Sequence, residues 1–232
     1  MDSEKYKAQL SQFMADSSKQ RPEFSTYYSY PCLEDDTKQT GFDSHYLYHV
    51  AWAVRKLLTA TPETHCDVGS SLNFCSIASA IVPTTFIDIR PANIYLNNLL
   101  VEPRDLTVDE SWKNEEFGSL SCMHVIEHIG LGRYGDNLDV SGDLKAINNL
   151  LRAVKKNGQL FFVVPVGKPE IYFNAHRVYS SKWIIEYFSS KCTLNEFYFI
   201  PAQNDMAPVE NCDPEYADKF TYGCGCFHFI KK

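Results

Sequence analysis

Glu127 and His128 stand side by side at the end of an apolar run, and a glycine-rich loop holding Arg133, Tyr134, Asp136 and Asp139 follows directly. An imidazole beside a carboxylate that orients it takes up a proton near neutral pH, which makes His128 a candidate base and Glu127 its support. The arginine recognises phosphate or carboxylate through paired hydrogen bonds, and Tyr134 and Asp136 suit hydroxyl groups. A second polar strip further on, Asn174, His176 and Arg177, carries the same recognition chemistry. Both strips fit the binding of a small polar molecule next to a base. The competing reading is structural: His128 packs its turn, and an Arg–Asp pair pins the loop.

Another constellation lies upstream. His65-Cys66-Asp67-Val68-Gly69 reads as a strand entering a turn, and Ser70-Ser71-Leu72-Asn73 leads into a helical run, Phe74–Ile81. Gly69 has no Cβ to hold a ligand off the backbone, and the helix that follows offers free N–H groups to an anion. Asp88 ends the next strand, Thr84–Ile89, where a carboxylate can accept hydrogen bonds from both hydroxyls of a ribose. Together they suit an adenosine-containing ligand. A dinucleotide would want G-x-G-x-x-G against its pyrophosphate, and only the first glycine is present, so NAD is disfavoured. Taken singly, Gly69 reads as an ordinary turn and Asp88 as a solvated strand end.

The elements that must position these groups alternate. Residues 1–20 read as a polar helix, and an aromatic, turn-rich passage, 24–41, reads as a cap or lid. Leu47, Val50, Val54, Leu57 and Leu58 recur at helical spacing and predict an amphipathic helix over Ser44–Thr59, in which His45 and His49 share a face as ordinary polar residues. Pro91 starts a predicted helix through Leu99. Strands follow over 99–102 and Ser119–His124, then a helix over Asp143–Lys155, closed by Lys155-Lys156-Asn157-Gly158. Gln159–Pro165 is apolar throughout, as expected of a strand buried on both faces. A helix near Ser181–Phe188 and strands over Leu194–Ile200 and Gly225–Ile230 complete the chain. The pattern predicts an α/β fold, doubly wound on a mostly parallel sheet, with an antiparallel C-terminal strand at one edge.

Composition agrees with a single domain over 1–232, of which 1–43 form the N-terminal helix and possible cap. The chain is 44% hydrophobic and 22% charged, as in ordinary globular proteins. A net charge of −7 leaves no basic footprint for nucleic acid. No apolar run suits a signal peptide or a membrane span, so a cytoplasmic protein is expected. The eight cysteines are scattered and read as reduced thiols. No metal is expected: Cys212, Cys224 and Cys226 match no common zinc spacing, and Asp136 with Asp139 is too little for Mg²⁺.

With these motifs assembled, residues 60–200 resemble the class I S-adenosylmethionine (SAM)-dependent methyltransferases. The resemblance rests on Cys66-Asp67-Val68-Gly69-Ser70-Ser71, on Ile87-Asp88-Ile89-Arg90, on His124-Val125-Ile126-Glu127-His128 and on Leu151–Gly158. More narrowly, Glu127-His128-Ile129-Gly130-Leu131-Gly132-Arg133-Tyr134-Gly135-Asp136, Phe173–Tyr179 and Tyr222–Gly225 resemble an uncharacterised methyltransferase-like subfamily, a domain of unknown function associated with glycan-modification gene clusters. The resemblance implies a seven-stranded sheet and SAM as cofactor. It places Asp67, Gly69, Ser70 and Ser71 around the methionine and ribose, Asp88 and Ile89 at the ribose, and Asp105 and Leu106 at the adenine; His124, ahead of His128, is expected to line the cofactor side. Ser71 and Asn73 stand where the family has its second and third glycines. These motifs and the polar, arginine-containing loop together lead to the expectation of O-methylation of a small polar acceptor such as a sugar or sugar-phosphate, with His128 as base. The rival, suggested by the altered glycine motif, is a non-catalytic binding or scaffold protein that keeps the fold.

Overall fold

The computed structural model describes residues 2–21, 23–24, 26–203 and 205–232; Met1 and Ser25, within the predicted first helix and aromatic passage, lie outside the described residues. The chain forms two units, one ending at Phe42 and one of Asp43–Lys232. In the first, α1 (Ser3–Gln20) is capped by Asp2, whose carboxylate accepts from the Lys5 amide at 2.7 Å. Tyr6, Leu10 and Phe13 of this helix line a shallow cavity with Tyr30 and Cys32 of the extended segment, and the Tyr27 hydroxyl donates to Ser17 Oγ at 2.8 Å.

The second unit runs α2 (Ser44–Ala60), β1 (His65–Val68), α3 (Leu72–Ile81), β2 (Thr84–Asp88), β3 (Leu99–Pro103), β4 (Phe117–Met123), α4 (Gly142–Ala153), β5 (Val154–Val166), β6 (Glu170–Tyr172), β7 (His176–Val178), α5 (Ser181–Ser189), β8 (Cys192–Pro201), α6 (Pro214–Ala217) and β9 (Gly223–Lys231). Seven strands form one sheet in the order β3-β2-β1-β4-β5-β9-β8, and β6 pairs with β7 as a separate hairpin. β1 to β5 are parallel, while β9 runs antiparallel between β5 and β8. The sheet is therefore the expected mostly parallel one, with β9 inside the antiparallel edge and β8 as its rim.

The apolar run of β5 explains the layering. Leu160, Phe162 and Val164 join one core with Ile147, Leu150 and Leu151 of α4 and Phe188 of α5. Phe161 and Val163 face the other side, against Trp52 and Leu57 of α2 and Phe74 and Ala78 of α3. A strand covered on both faces needs no polar alternation, and this one has none. Cys224 and Cys226 share the α2 face, as strand alternation predicts, whereas Cys212 lies in the opposite core.

Two sequence-based boundaries are corrected. The helix predicted from Pro91 to Leu99 does not form; residues 91–96 have no regular structure, and Tyr95 is 92% exposed. A helix this short needs an apolar face to bury, and this segment has none in contact with the core. The helix predicted to reach Lys155 ends at Ala153, because the β-branched Val154, 1% exposed, enters the sheet opposite Phe117. Lys155-Lys156-Asn157-Gly158 is therefore an irregular stretch at the start of β5, with Asn157 at φ 60°, rather than a helix-ending turn.

Candidate functional site

The carboxyl ends of β1, β2 and β4 open into a cavity of about 630 Å³, within the range of small-molecule sites. Gly69, Asp88, Ile89, Asp105, Leu106 and His124 line it, together with His128, Tyr134 and Asp136. Gly69 takes a left-handed conformation, φ 64°, and a Cβ there would stand 3.0 Å from Val125 Cγ2 and 3.7 Å from Asp88 Oδ2. The glycine thus keeps the space in front of Asp88 clear. Asp88 accepts the Arg90 amide on Oδ1 at 2.7 Å, and among the described residues its Oδ2 has no hydrogen-bond partner. One carboxylate oxygen fixes the turn while the other remains available to a ligand.

The loop after β3 forms the far wall. Asp105 Oδ1 accepts both the amide and the hydroxyl of Thr107 at 2.7 Å, its carbonyl accepts the Trp112 indole N–H at 2.8 Å, and the Leu106 carbonyl accepts the Asn149 amide at 2.9 Å. The buried Asn149 and Trp112 therefore hold the start of a connection whose one helical turn is the 3-10 turn Asp109–Ser111. Arg90, Arg104, Thr107, Val125 and Lys145 also line the cavity. Sequence reasoning did not single them out; only Arg90 and Val125, flanking quoted motif residues, carried a signal.

Asp67, Ser70 and Ser71 stand behind the cavity rather than on its wall. Asp67 is fully buried and accepts the Ser121 hydroxyl; His65 bridges Ser121 and Ser119 at 2.9 and 2.8 Å, and the Gln159 amide reaches Ser119 at 2.9 Å. This polar ladder crosses β1, β4 and β5 beneath the site. Ser70 Oγ accepts the Met123 amide at 3.1 Å, tying the turn to β4, and Ser71 caps α3 through the Phe74 amide at 3.3 Å. The two serines thus do structural work at positions where the family resemblance has glycine or another small residue.

Burial pushes the Asp67 carboxyl up to about 7, against the lowering effect of the Ser121 and Ser70 hydrogen bonds. The folded protein then holds this proton more tightly than the unfolded chain, so stability falls as pH rises from about 4 to about 7. Asp67→Asn carries no such dependence. The stability difference between variant and wild type should move toward the variant by at least about 2 kcal/mol between acid and mildly alkaline pH, read from thermal melts across that range.

His124 directly follows β4 in the left-handed region, φ 57°, a conformation that costs a branched or bulky residue energy and occurs where a side chain must be aimed. Its Nδ1 donates to Glu127 Oε1 at 2.8 Å, and its Nε2 lies 3.3 Å from Cys224 Sγ. The same Glu127 oxygen is 3.8 Å from His128 Nε2. Glu127, expected to orient His128, is therefore hydrogen-bonded to His124 and only near His128. Burial draws the His124 ring toward neutrality, but the Cys224 sulfur and the Glu127 carboxylate outweigh it and raise its pKa; burial pushes the Cys224 thiol up.

His128 sits in a 3-10 turn, Ile126–His128, with Nδ1 2.6 Å from the Ala175 carbonyl. Arg133 Nη1, which only donates, also lies 3.1 Å from Nδ1, but the shorter contact is to a carbonyl that only accepts. With Nδ1 carrying the hydrogen to Ala175 and Arg133 spent on that same oxygen, the ring's free lone pair is on Nε2. Arg133 Nη1 donates to the same carbonyl at 3.1 Å. Its guanidinium also lies 5.1 Å from the Tyr134 ring centroid, and Arg90 is 4.8 Å from that ring, so Tyr134 is held by two cations.

The glycine loop is built around Asp136. Its carboxylate accepts the amides of Gly130, Gly132 and Tyr134 at 2.7, 3.3 and 3.2 Å, and these bonds outweigh partial burial to lower its pKa. Gly130, Gly132 and Gly135 all have positive φ. A Cβ on Gly130 would lie 2.1 Å from the Asp139 carbonyl oxygen, so Gly130→Ala should lower stability by about 2 kcal/mol and loosen the loop, measured by denaturant unfolding.

Of the later strip, Arg177 is 6% exposed; it donates to the Ile129 carbonyl at 2.7 Å and lies 3.6 Å from Asp143, which also accepts the Tyr179 hydroxyl at 2.9 Å. Its guanidinium braces the turn that carries His128. His176 stacks on Tyr172, with centroids 5.0 Å apart, and faces Tyr222 at 5.6 Å, while Asn174 is exposed. Neither lines the cavity.

The family profile described as Caenorhabditis protein of unknown function, DUF268, matches residues 90–190. No sequence among the curated proteins matches the chain. In structure it is similar to the N-methyltransferase NodS of Bradyrhizobium japonicum WM9 in complex with S-adenosyl-L-homocysteine (SAH): 14% identity, 86% of this chain and 93% of that one covered, TM-score 0.58. It is also similar to the 1,6-didemethyltoxoflavin-N1-methyltransferase of Burkholderia thailandensis with bound 1,6-didemethyltoxoflavin and SAH: 11% identity, 100% and 91% covered, TM-score 0.58. The YcgJ protein of Bacillus subtilis follows, at 13% identity, 80% and 96% covered, TM-score 0.51. The fold is thus that of the Rossmann-like methyltransferases.

Proposed function

We propose that this chain is a SAM-dependent methyltransferase acting on a hydroxyl of a small polar acceptor, such as a sugar or sugar-phosphate. The observation that carries the reading is the cavity in which Gly69, bare of a Cβ, faces the free oxygen of Asp88 while His128 lines the same space. Two structural relatives hold SAH, which favours an adenosyl ligand here as well. Asp88 would accept the ribose hydroxyls, and Asp105 and Leu106 would flank the adenine.

When bound, SAM supplies a methyl group already activated by its sulfonium. The protein then has to align an acceptor oxygen and remove its proton, and positioning supplies much of the rate. His128 is suited to removing the proton, because Ala175 fixes its tautomer and leaves Nε2 to take it as the oxygen–methyl bond forms and the methyl–sulfur bond breaks. Tyr134, Arg133 and the Asp136 loop would hold the acceptor. The test is SAH release from SAM over a panel of sugars, sugar-phosphates and amines. Turnover on a hydroxyl acceptor is expected; turnover on amines alone, or SAH binding with no turnover on the whole panel, would contradict it.

A further inference from the structure

The N-terminus of α2, the end of β4 and the start of β9 bring together three groups far apart in the chain. One ligand atom from each of His45, His124 and Cys224 lies within 4.8 Å of the other two. A tetrahedral zinc with bonds of about 2.0–2.3 Å spaces its ligand atoms roughly 3.3–3.8 Å apart, so small side-chain movements would close this set on an ion. The His124 Nε2 to Cys224 Sγ distance, 3.3 Å, is already there.

The surroundings are those of a metal ligand set. His124 gives its Nδ1 hydrogen to Glu127, the carboxylate–histidine arrangement that fixes a ring with its other nitrogen free for a metal. His45 is 8% exposed, and its Nε2 is buried without a hydrogen-bond partner. His49, one turn along, spends Nδ1 on the His45 carbonyl at 2.6 Å and also leaves its Nε2 buried and unpartnered. Two buried imidazole nitrogens without partners are unusual, because each forfeits its hydration. The left-handed backbone at His124 aims its ring across β5 to Cys224.

We propose that His45, His124 and Cys224 form a zinc site. Two imidazoles and one thiolate suit a borderline-soft divalent ion over Mg²⁺ or Ca²⁺, and three protein ligands leave one position for water or another donor. Because His124 also lines the large cavity, the ion would border it. The cysteine spacing did not suggest this: Cys212 lies in the other core, and the remaining ligands are histidines whose sequence neighbours carry no metal motif. The site stands independently of the transfer reaction, since its ligands and its readout involve the metal alone.

The full chain, freed of any affinity tag and stripped with a chelator, is titrated with Zn²⁺ against a chromophoric chelator and with Co²⁺ by absorption. One Zn²⁺ per chain is expected, and a tetrahedral Co²⁺ spectrum with a thiolate charge-transfer band. Cys224→Ser should abolish that band, Glu127→Gln should weaken affinity about ten- to a hundredfold, and Cys32→Ser should change neither. X-ray absorption of the zinc-loaded wild type, which needs no variant to fold, should show one sulfur and two imidazoles on the metal. Failure to bind one equivalent, a sulfur-free shell, or a cobalt spectrum unchanged by Cys224→Ser would overturn the assignment.

Discussion

His128→Ala should lower turnover on a hydroxyl acceptor by about 10²–10⁴-fold while leaving SAH binding within a few-fold of wild type. The reason is the division of labour in the site. The Ala175 carbonyl holds the Nδ1 hydrogen at 2.6 Å, which leaves Nε2 to take a proton, whereas the other imidazole lining the cavity, His124, is engaged at both nitrogens by Glu127 and Cys224. Removing the ring leaves the Glu127–His124 bond intact, because that pair does not pass through His128. Added imidazole should restore part of the lost rate by filling the vacated space. A loss of less than threefold would show that the acceptor needs no base.

Asp88→Ala should weaken SAH binding by at least about a hundredfold, measured by calorimetry. Hydrogen bonds to a charged group contribute about 1.5–3 kcal/mol each, and two ribose hydroxyls on one carboxylate therefore reach two orders of magnitude in affinity. Asp88→Asn, which keeps an acceptor oxygen but not the charge, should cost about tenfold. The fold should survive both changes, since Asp88 ends β2 and, among the described residues, the one hydrogen bond of its side chain is to the nearby Arg90 amide. Equal affinity for all three proteins would place the ligand elsewhere.

Much of the fold was legible because its strands announce themselves. The run Leu160–Val164 is apolar on successive residues, which only a strand covered on both faces tolerates, and Val68-Gly69 and Ile87-Asp88 each end a strand in a residue suited to the sheet's carboxyl edge. Once strand order is granted, Gly69, Asp88, Asp105 and Leu106 must converge, and they do. The segment after Pro91 misled because a helix start signal says nothing about whether a core face awaits it. Val154 misled because helix periodicity and a β-branched strand start overlap there.

The rest depended on contacts that local pattern does not encode. Glu127 and His128 are neighbours in sequence, but the left-handed turn at His124 gives the carboxylate to the ring three residues earlier. Asp136, read as a hydroxyl-binding group, is engaged by three amides of its own loop, something the glycine spacing implied only once φ was known. His124 and Cys224 are 100 residues apart, and only the insertion of β9 beside β5 brings them together.

A crystal structure of the chain grown with saturating SAH tests the central claim most directly. Density for the nucleoside is expected in the cavity, with both ribose hydroxyls on Asp88 and the sulfur on the His128 side of Gly69. An empty cavity at saturation, or a ribose turned away from Asp88, would contradict it.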